Sequence, residues 1–222
     1  MTKLDLKKIN EELYITNPTT MCYNNENPLI RFIENRKKSF ITALVNKQMG
    51  EFVLDIGCEA GHIIQGLDLK RRKLIVGLDI VKNALLDARK ICKGDLFQFI
   101  LANASQLPFK SNLFNIIICA HLLEHVPKPK KVVVEIRRMI SDTGILVVNV
   151  PNELTVLKIK RLAKRLGISL GGLSEGVAPG HLHIFTKQVL EEILSDCFEI
   201  NQFNNSPFKF LSFDLIAVCK PI

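Results

Sequence analysis

The segment Val53-Leu54-Asp55-Ile56-Gly57-Cys58-Glu59-Ala60-Gly61-His62-Ile63 constrains this chain most. An apolar strand runs into a carboxylate and then into two glycines four residues apart. Gly57 can bend the backbone sharply. Gly61 can let a ligand lie against main chain at the start of a helix, where the first N–H groups lack intrahelical partners. His62 is expected to open that helix. Eighteen residues beyond Gly61, the run Lys73-Leu74-Ile75-Val76-Gly77-Leu78-Asp79-Ile80 ends a second strand on a second carboxylate. Asp79 there can accept two ribose hydroxyls, as the acidic residue of doubly wound nucleotide-binding sheets does.

The turn discriminates between cofactors. A pyrophosphate-binding turn needs G-x-G-x-x-G, whereas Cys58, Glu59 and Ala60 separate these two glycines. Glu59 would repel a pyrophosphate, but a cofactor carrying a sulfonium and an ammonium would welcome it. The turn resembles motif I of the class I S-adenosylmethionine-dependent methyltransferases, D-x-G-C-G-x-G, with Glu59 in place of the middle glycine. Two further stretches extend the likeness. Ala102-Asn103-Ala104-Ser105-Gln106-Leu107-Pro108-Phe109 is similar to the family's G-D-A-x-x-L-P-F segment. His121-Leu122-Leu123-Glu124-His125-Val126-Pro127 is similar to the L-E-H-V-x-D/N-P stretch of the small-molecule subgroup that includes the quinone-biosynthesis enzymes. Together with the Asp79 strand end these motifs cover about residues 50 to 150, in the family's order.

The resemblance implies a cofactor, S-adenosylmethionine, with S-adenosylhomocysteine as product. It places Asp55 at the methionyl ammonium, Gly57, Cys58, Glu59 and Gly61 in the loop beneath it, and Asp79 on the ribose. Asn103 and the Ala104 backbone read adenine, the Asn103 amide oxygen accepting where the family has a carboxylate. Ile80 and Leu107 sandwich the purine, while Cys119 and His121 line the same crevice from a fourth strand. No N/D-P-P-Y/F or Pro-Cys follows that strand, which disfavours nucleobase methylation.

Length and pattern agree. A chain of 222 residues, 47% hydrophobic and without low-complexity sequence, can bury one sizeable core as a single domain spanning 1–222. Apolar runs at Val53–Ile56, Ile75–Leu78, Leu96–Leu101, Ile116–Cys119 and Ile145–Val150 alternate with amphipathic stretches. One carries Val81, Leu85, Ala88 and Cys92, another Val132, Ile136, Met139 and Ile140. Thr186 can cap a further helix with Val189, Leu190, Ile193 and Leu194 on its buried side. Two last strands, about 198–203 and 211–219, are joined by too short a link for a crossover helix, so they pair antiparallel. The expected fold is α/β, a doubly wound Rossmann-like methyltransferase sheet of seven strands in the family order 3-2-1-4-5-7-6, with strand 7 antiparallel.

Two regions lie outside that core. Residues 1–49 form an N-terminal helical cap, with a helix from about Leu29 to Gln48 and Tyr14, Tyr23, Arg31 and Arg36 as candidate acceptor-facing groups. Residues 152–183 form an insert or lid after strand five. Its basic amphipathic run, Val156 to Leu166, suits an anionic substrate, a membrane surface, nucleic acid or plain solvent.

The chain has five histidines. His121, His125 and His183, with His181 beside them, are candidate general bases, since imidazole accepts a proton near neutrality. His62 reads as structural. No pair shows metal-ligand spacing on a defined helix, and the six cysteines lack C-x-x-C spacing, so no metal is expected and the cysteines read as small core residues. The chain lacks an apolar signal-peptide core and any run long enough to cross a bilayer, giving an expected cytoplasmic location. The reading favoured is methyl transfer to a small-molecule, lipid or glycan acceptor. A net charge of +8 keeps an RNA or protein acceptor open, as does a cofactor-binding regulatory protein without turnover.

Overall fold

The computed structural model describes residues 3–16, 27–165, 180–207 and 212–222. Tyr23, the Gly-rich part of the insert and the tip between the last two strands fall outside them. The elements in chain order are α1 (Lys3–Thr16), α2 (Pro28–Asn46), β1 (Phe52–Ile56), β2 (Leu74–Asp79), α3 (Lys82–Ile91), β3 (Phe97–Leu101), β4 (Phe114–Ala120), α4 (Pro129–Met139), β5 (Ile140–Pro151), α5 (Glu153–Arg165), α6 (Lys187–Leu194), β6 (Phe198–Pro207) and β7 (Ser212–Pro221).

The strands form one seven-stranded sheet in the order β3-β2-β1-β4-β5-β7-β6. The first five are parallel, and β7 runs antiparallel to both β5 and β6. The strand order reverses between β1 and β4. In an open α/β sheet the carboxyl ends of the strands at such a reversal flank the ligand crevice. Asp55 to Gly57 leave β1 there, and Cys119 to His121 leave β4 beside them.

Period-two alternation along the strands feeds two cores. Leu54, Ile56, Val76, Leu78, Ile117, Leu146, Val148 and Ala217 face α4 and α6 through Val132, Val133, Ile136, Leu190 and Leu194. Their neighbours Val53, Ile75, Ile116, Ile118, Val147, Ile216 and Val218 face α2 through Ile41, Leu44 and Val45. Each such side chain contributes about 1.5–3 kcal/mol when fully buried. Thr186 caps α6, its hydroxyl accepting from Val189 N–H at 3.2 Å, as its sequence position predicts.

Two expectations are corrected. No α-helix follows Gly61, and His62 opens none: the link from β1 to β2 is made of two short 3-10 turns, Ile64–Gly66 and Leu69–Arg71. The link is held against α2 instead of winding freely. A Cβ on Gly66 would lie 3.1 Å from Thr42 Cγ2, and Asp68 N–H donates to Asn46 Oδ1 at 2.9 Å. The Asp68 carboxylate accepts from Lys70 N–H, which starts a fresh turn. The buried Arg72 guanidinium then donates to the carbonyls of Val45, Gln48 and Gly50, satisfying the acceptors left open at the end of α2. The second correction is Ile140, expected on the buried stripe of a helix. It begins β5 instead, pairing with Phe114 ahead of a register shift.

Candidate cofactor and acceptor site

The loop after β1 is shaped by three residues with positive φ: Gly57 at 75°, Glu59 at 47° and Gly61 at 77°. Glu59, which stands where motif I has its middle glycine, takes the left-handed conformation a glycine would hold there. That costs a non-glycine residue about 1–2 kcal/mol. Neighbouring hydrogen bonds hold it in place. Gly57 and Cys58 N–H both donate to Leu78 O, at 2.7 and 3.0 Å, and Gly61 N–H donates to Cys58 O at 2.8 Å. The glycines also serve packing, since a Cβ at Gly61 would lie 2.9 Å from Cys92 Sγ and one at Gly57 3.1 Å from Leu122 Cδ1.

Asp79 ties the loop to the second strand. Its Oδ2 accepts from Glu59 N–H and its Oδ1 from Val81 N–H, both at 2.9 Å. A carboxylate has about four acceptor sites, so these bonds leave capacity for the ribose role. Asp55 is 2% exposed, and burial together with Asp79 pushes its carboxyl up to about 8. The Cys58 and Cys119 thiols are driven upward mainly by burial and stay protonated, so neither is a nucleophile.

The segment after β3 folds back on itself. Asn103 Oδ1 accepts from Ser105 N–H at 2.8 Å, leaving one oxygen lone pair for an outside donor. Ala104 and Leu107 are buried in the core, while Ile80 is half-buried beside Asp79. Two residues missed in the sequence position this segment from α4. Glu135 accepts from Leu107 N–H at 2.9 Å, and Arg138 donates to the carbonyls of Leu107 and Phe109. Both lie in the i, i+3 arrangement that pairs them on one helix face, the one signal the sequence offered.

At the end of β4, His121 also has a positive φ, 50°. Its N–H donates to Asn149 O at 2.9 Å, and its imidazole bridges two buried carboxylates, Nδ1 to Glu124 at 2.9 Å and Nε2 to Asp214 at 2.8 Å. Burial and Lys37 pull the imidazole down, but Asp214 and Glu124 outweigh them and raise its pKa to about 9. The two carboxylates thus favour the protonated imidazole, a form with no lone pair to take up a proton. Lys37 reaches the same cluster from α2, 2.6 Å from Glu34 and 4.0 Å from Asp214.

Three other histidines, His125, His181 and His183, cluster nearby. His125 Nδ1 contacts Gly180 O at 3.1 Å, His181 Nδ1 contacts Glu153 at 2.5 Å, and His183 Nε2 contacts Val126 O at 2.9 Å. His183 thus serves the backbone. The fold also gathers Glu124, His125 and His181, with one ligand atom of each within 4.8 Å of the others. No sequence spacing could show this, because His181 lies far along the chain from the other two.

The cap residues divide. Tyr14 donates to Asp87 Oδ2 on α3 at 2.8 Å, and burial, Asp87, Glu59 and Asp79 raise its phenol. Arg31 and Arg36 are exposed on α2. Among the described residues, no helix is long and apolar enough to cross a membrane.

Comparison with known proteins now bears on these residues. Residues 54–148 match the methyltransferase-domain family Methyltransf_11. The matched residues include the ends of β1, β2, β3 and β4 and leave out Asn149, Asp214 and the strap around His181, and the family uses S-adenosylmethionine. An uncharacterized protein of Methanocaldococcus jannaschii is 40% identical over 73 residues, which are 33% of this chain and 28% of that protein. The chain therefore spans well under two thirds of that relative. The fold is shared with a protein from Pyrococcus horikoshii at TM-score 0.68 and 21% identity, covering 95% of this chain and 99% of that one. It is shared also with magnesium protoporphyrin IX methyltransferase from Synechocystis, bound to S-adenosylhomocysteine, at TM-score 0.70 and 17% identity, covering 97% and 99%. A chain in the complex of the Haloferax volcanii methyltransferase activator Trm112 with a methyltransferase aligns at TM-score 0.71 and 14% identity, covering 95% and 96%.

Proposed function

We propose that the protein is an S-adenosylmethionine-dependent methyltransferase acting on a small-molecule, lipid or glycan acceptor. The carrying observation is the acidic, backbone-pinned loop at the ends of β1 and β2. Asp55, Glu59 and Asp79 gather where a pyrophosphate would be repelled and a sulfonium and an ammonium are favoured. When bound, this cofactor supplies an electrophilic methyl on a positively charged sulfur. Asp55 then holds the methionyl ammonium, and Asp79 orients the ribose. The free lone pair of Asn103 Oδ1 and the Ala104 backbone take the adenine edge, with Ile80 and Leu107 against its faces. Methyl transfer depends on in-line approach more than on side-chain chemistry, so the protein's part is to fix this geometry and exclude water. Acceptor choice falls to α1, α2 and the insert, with Tyr14, Tyr23 and Arg31 as candidate contacts and a cytoplasmic location expected. The net charge of +8 favours RNA as the second reading.

Calorimetry against S-adenosylmethionine, S-adenosylhomocysteine and NAD tests the cofactor. Binding of the first two and not the third is expected, and NAD binding with no response to S-adenosylhomocysteine overturns the reading. Radiolabelled methyl transfer to metabolite, lipid and RNA fractions then separates the acceptors.

A further inference from the structure

The strap Gly180 to His183 is stitched to the turn after β4. Leu182 N–H donates to Glu124 O at 2.7 Å, and His183 and His125 add the two contacts to Val126 O and Gly180 O given above. This brings the His125 and His181 rings edge to face, 4.8 Å between centroids and 82° between planes. Each ring uses Nδ1 on an oxygen acceptor, Gly180 O for one and the Glu153 carboxylate for the other. In the neutral rings that fixes the proton on Nδ1 and leaves Nε2 with a lone pair. Metal-ligating histidines are held the same way, by an oxygen on the other ring nitrogen.

Glu124 supplies the third group. It is 0% exposed, its Oε1 is engaged by His121, and its Oε2 has no hydrogen-bond partner among the described residues. A buried acceptor left open in this way costs about 1–3 kcal/mol, more when charged. A cation would remove that cost. Two imidazoles and a carboxylate are the ligand set of catalytic zinc sites and of open facial triads on other first-row metals. Bonds of about 2.0–2.2 Å would draw the three ligand atoms to roughly 3.0–3.5 Å apart. At present one ligand atom of each residue lies within 4.8 Å of the others, so the side chains must close in on the ion.

We propose that Glu124, His125 and His181 form a binding site for a divalent first-row transition cation, with water completing its coordination. Glu153 orients His181, and His121 orients Glu124. The site uses no atom of the cofactor loop, so it stands or falls apart from the methyl-transfer reading.

The test uses the full chain without a histidine tag, stripped by chelation and dialysis, and titrated with Zn2+, Co2+ and Mn2+ in the absence of cofactor. One equivalent of Co2+ is expected to bind with a visible d–d spectrum that Zn2+ displaces. His181→Ala and His125→Ala should each weaken binding at least tenfold, in line with the loss of one ligand. Circular dichroism and S-adenosylhomocysteine binding report whether each variant is folded. Glu153→Gln, which keeps the shape of the orienting side chain, serves should either alanine variant fail to fold, and it should weaken Co2+ binding while retaining one equivalent. Absence of stoichiometric binding, or affinity within twofold of the parent in both folded histidine variants, overturns the proposal.

Discussion

The carboxyl ends of β1 and β2 and the carboxyl end of β4 face the same crevice but are built on different principles. At β1 and β2 the work is done by backbone: three positive-φ residues, glycines packed against Leu122 and Cys92, and one carboxylate holding two N–H groups. At β4 it is done by buried side chains drawn from distant parts of the chain, with Lys37, His121, Glu124 and Asp214 in one charged cluster. A backbone-built site tolerates side-chain change and depends on a few conformations. A charge-built site depends on every partner being present.

Asp214→Ala should show the difference most strongly. It strips the buried counter-charge from His121 and Lys37, and removing one partner of a buried ion pair costs about 3–5 kcal/mol. Chemical denaturation measures this, with S-adenosylhomocysteine affinity of the folded fraction little changed. A loss below about 1 kcal/mol would mean the cluster is solvated and the contrast between the two ends is false.

Asp79→Ala strikes the other end. Cofactor affinity should fall by about 1.5–3 kcal/mol, the range for charge-assisted hydrogen bonds, while the fold persists because β1 and β2 keep their ladder. Unchanged affinity in calorimetry would remove Asp79 from the ribose.

A subtler effect concerns Asp55, whose folded pKa of about 8 lies well above the ordinary carboxylate value of 3.8. Below about pH 4 both folded and unfolded chains hold the proton. Between about 4 and 8 the unfolded chain ionises while the folded one does not, so cofactor-free stability should fall as pH rises through that window and level off above it. An ammonium beside Asp55 favours the ionised form, so cofactor binding near pH 7 should release a proton. Binding enthalpies compared across buffers of different ionisation heat measure that release. Asp55→Asn should abolish it.

The smallest effect is expected at Glu59→Gly. Removing the left-handed strain favours the folded chain by about 1–2 kcal/mol, and the added freedom of the unfolded chain offsets about 0.4–1 kcal/mol. A net gain of about 0–1.6 kcal/mol should appear in the denaturation midpoint. A clear loss would show that the Glu59 side chain itself holds the loop.

The same contrast governs what could be read from the amino-acid order. The five apolar strands, the Thr186 cap and the strand-end places of Asp55, Gly57 and Asp79 lie in short segments where spacing and residue type report geometry directly, while the strand order followed only from the family resemblance. The 3-10 link was misread because its contacts are made with α2: Thr42, Asn46 and Val45 hold it, and nothing between Gly61 and Lys73 records their presence. Tyr14 on Asp87, Lys37 by Asp214 and His181 beside His125 are likewise meetings across long stretches of chain, fixed by tertiary packing and silent in local pattern.

Lys37 and Asp214 also impose an order of events. α2 precedes every strand, but the carboxylate that meets its lysine belongs to β7, the last strand in chain order, inserted between β5 and β6. Ile41, Leu44 and Val45 on α2 can pack on Val53, Ile75 and Ile116 of earlier strands, yet their cover by Ile216 and Val218 waits for a strand that lies inside the sheet rather than at its rim.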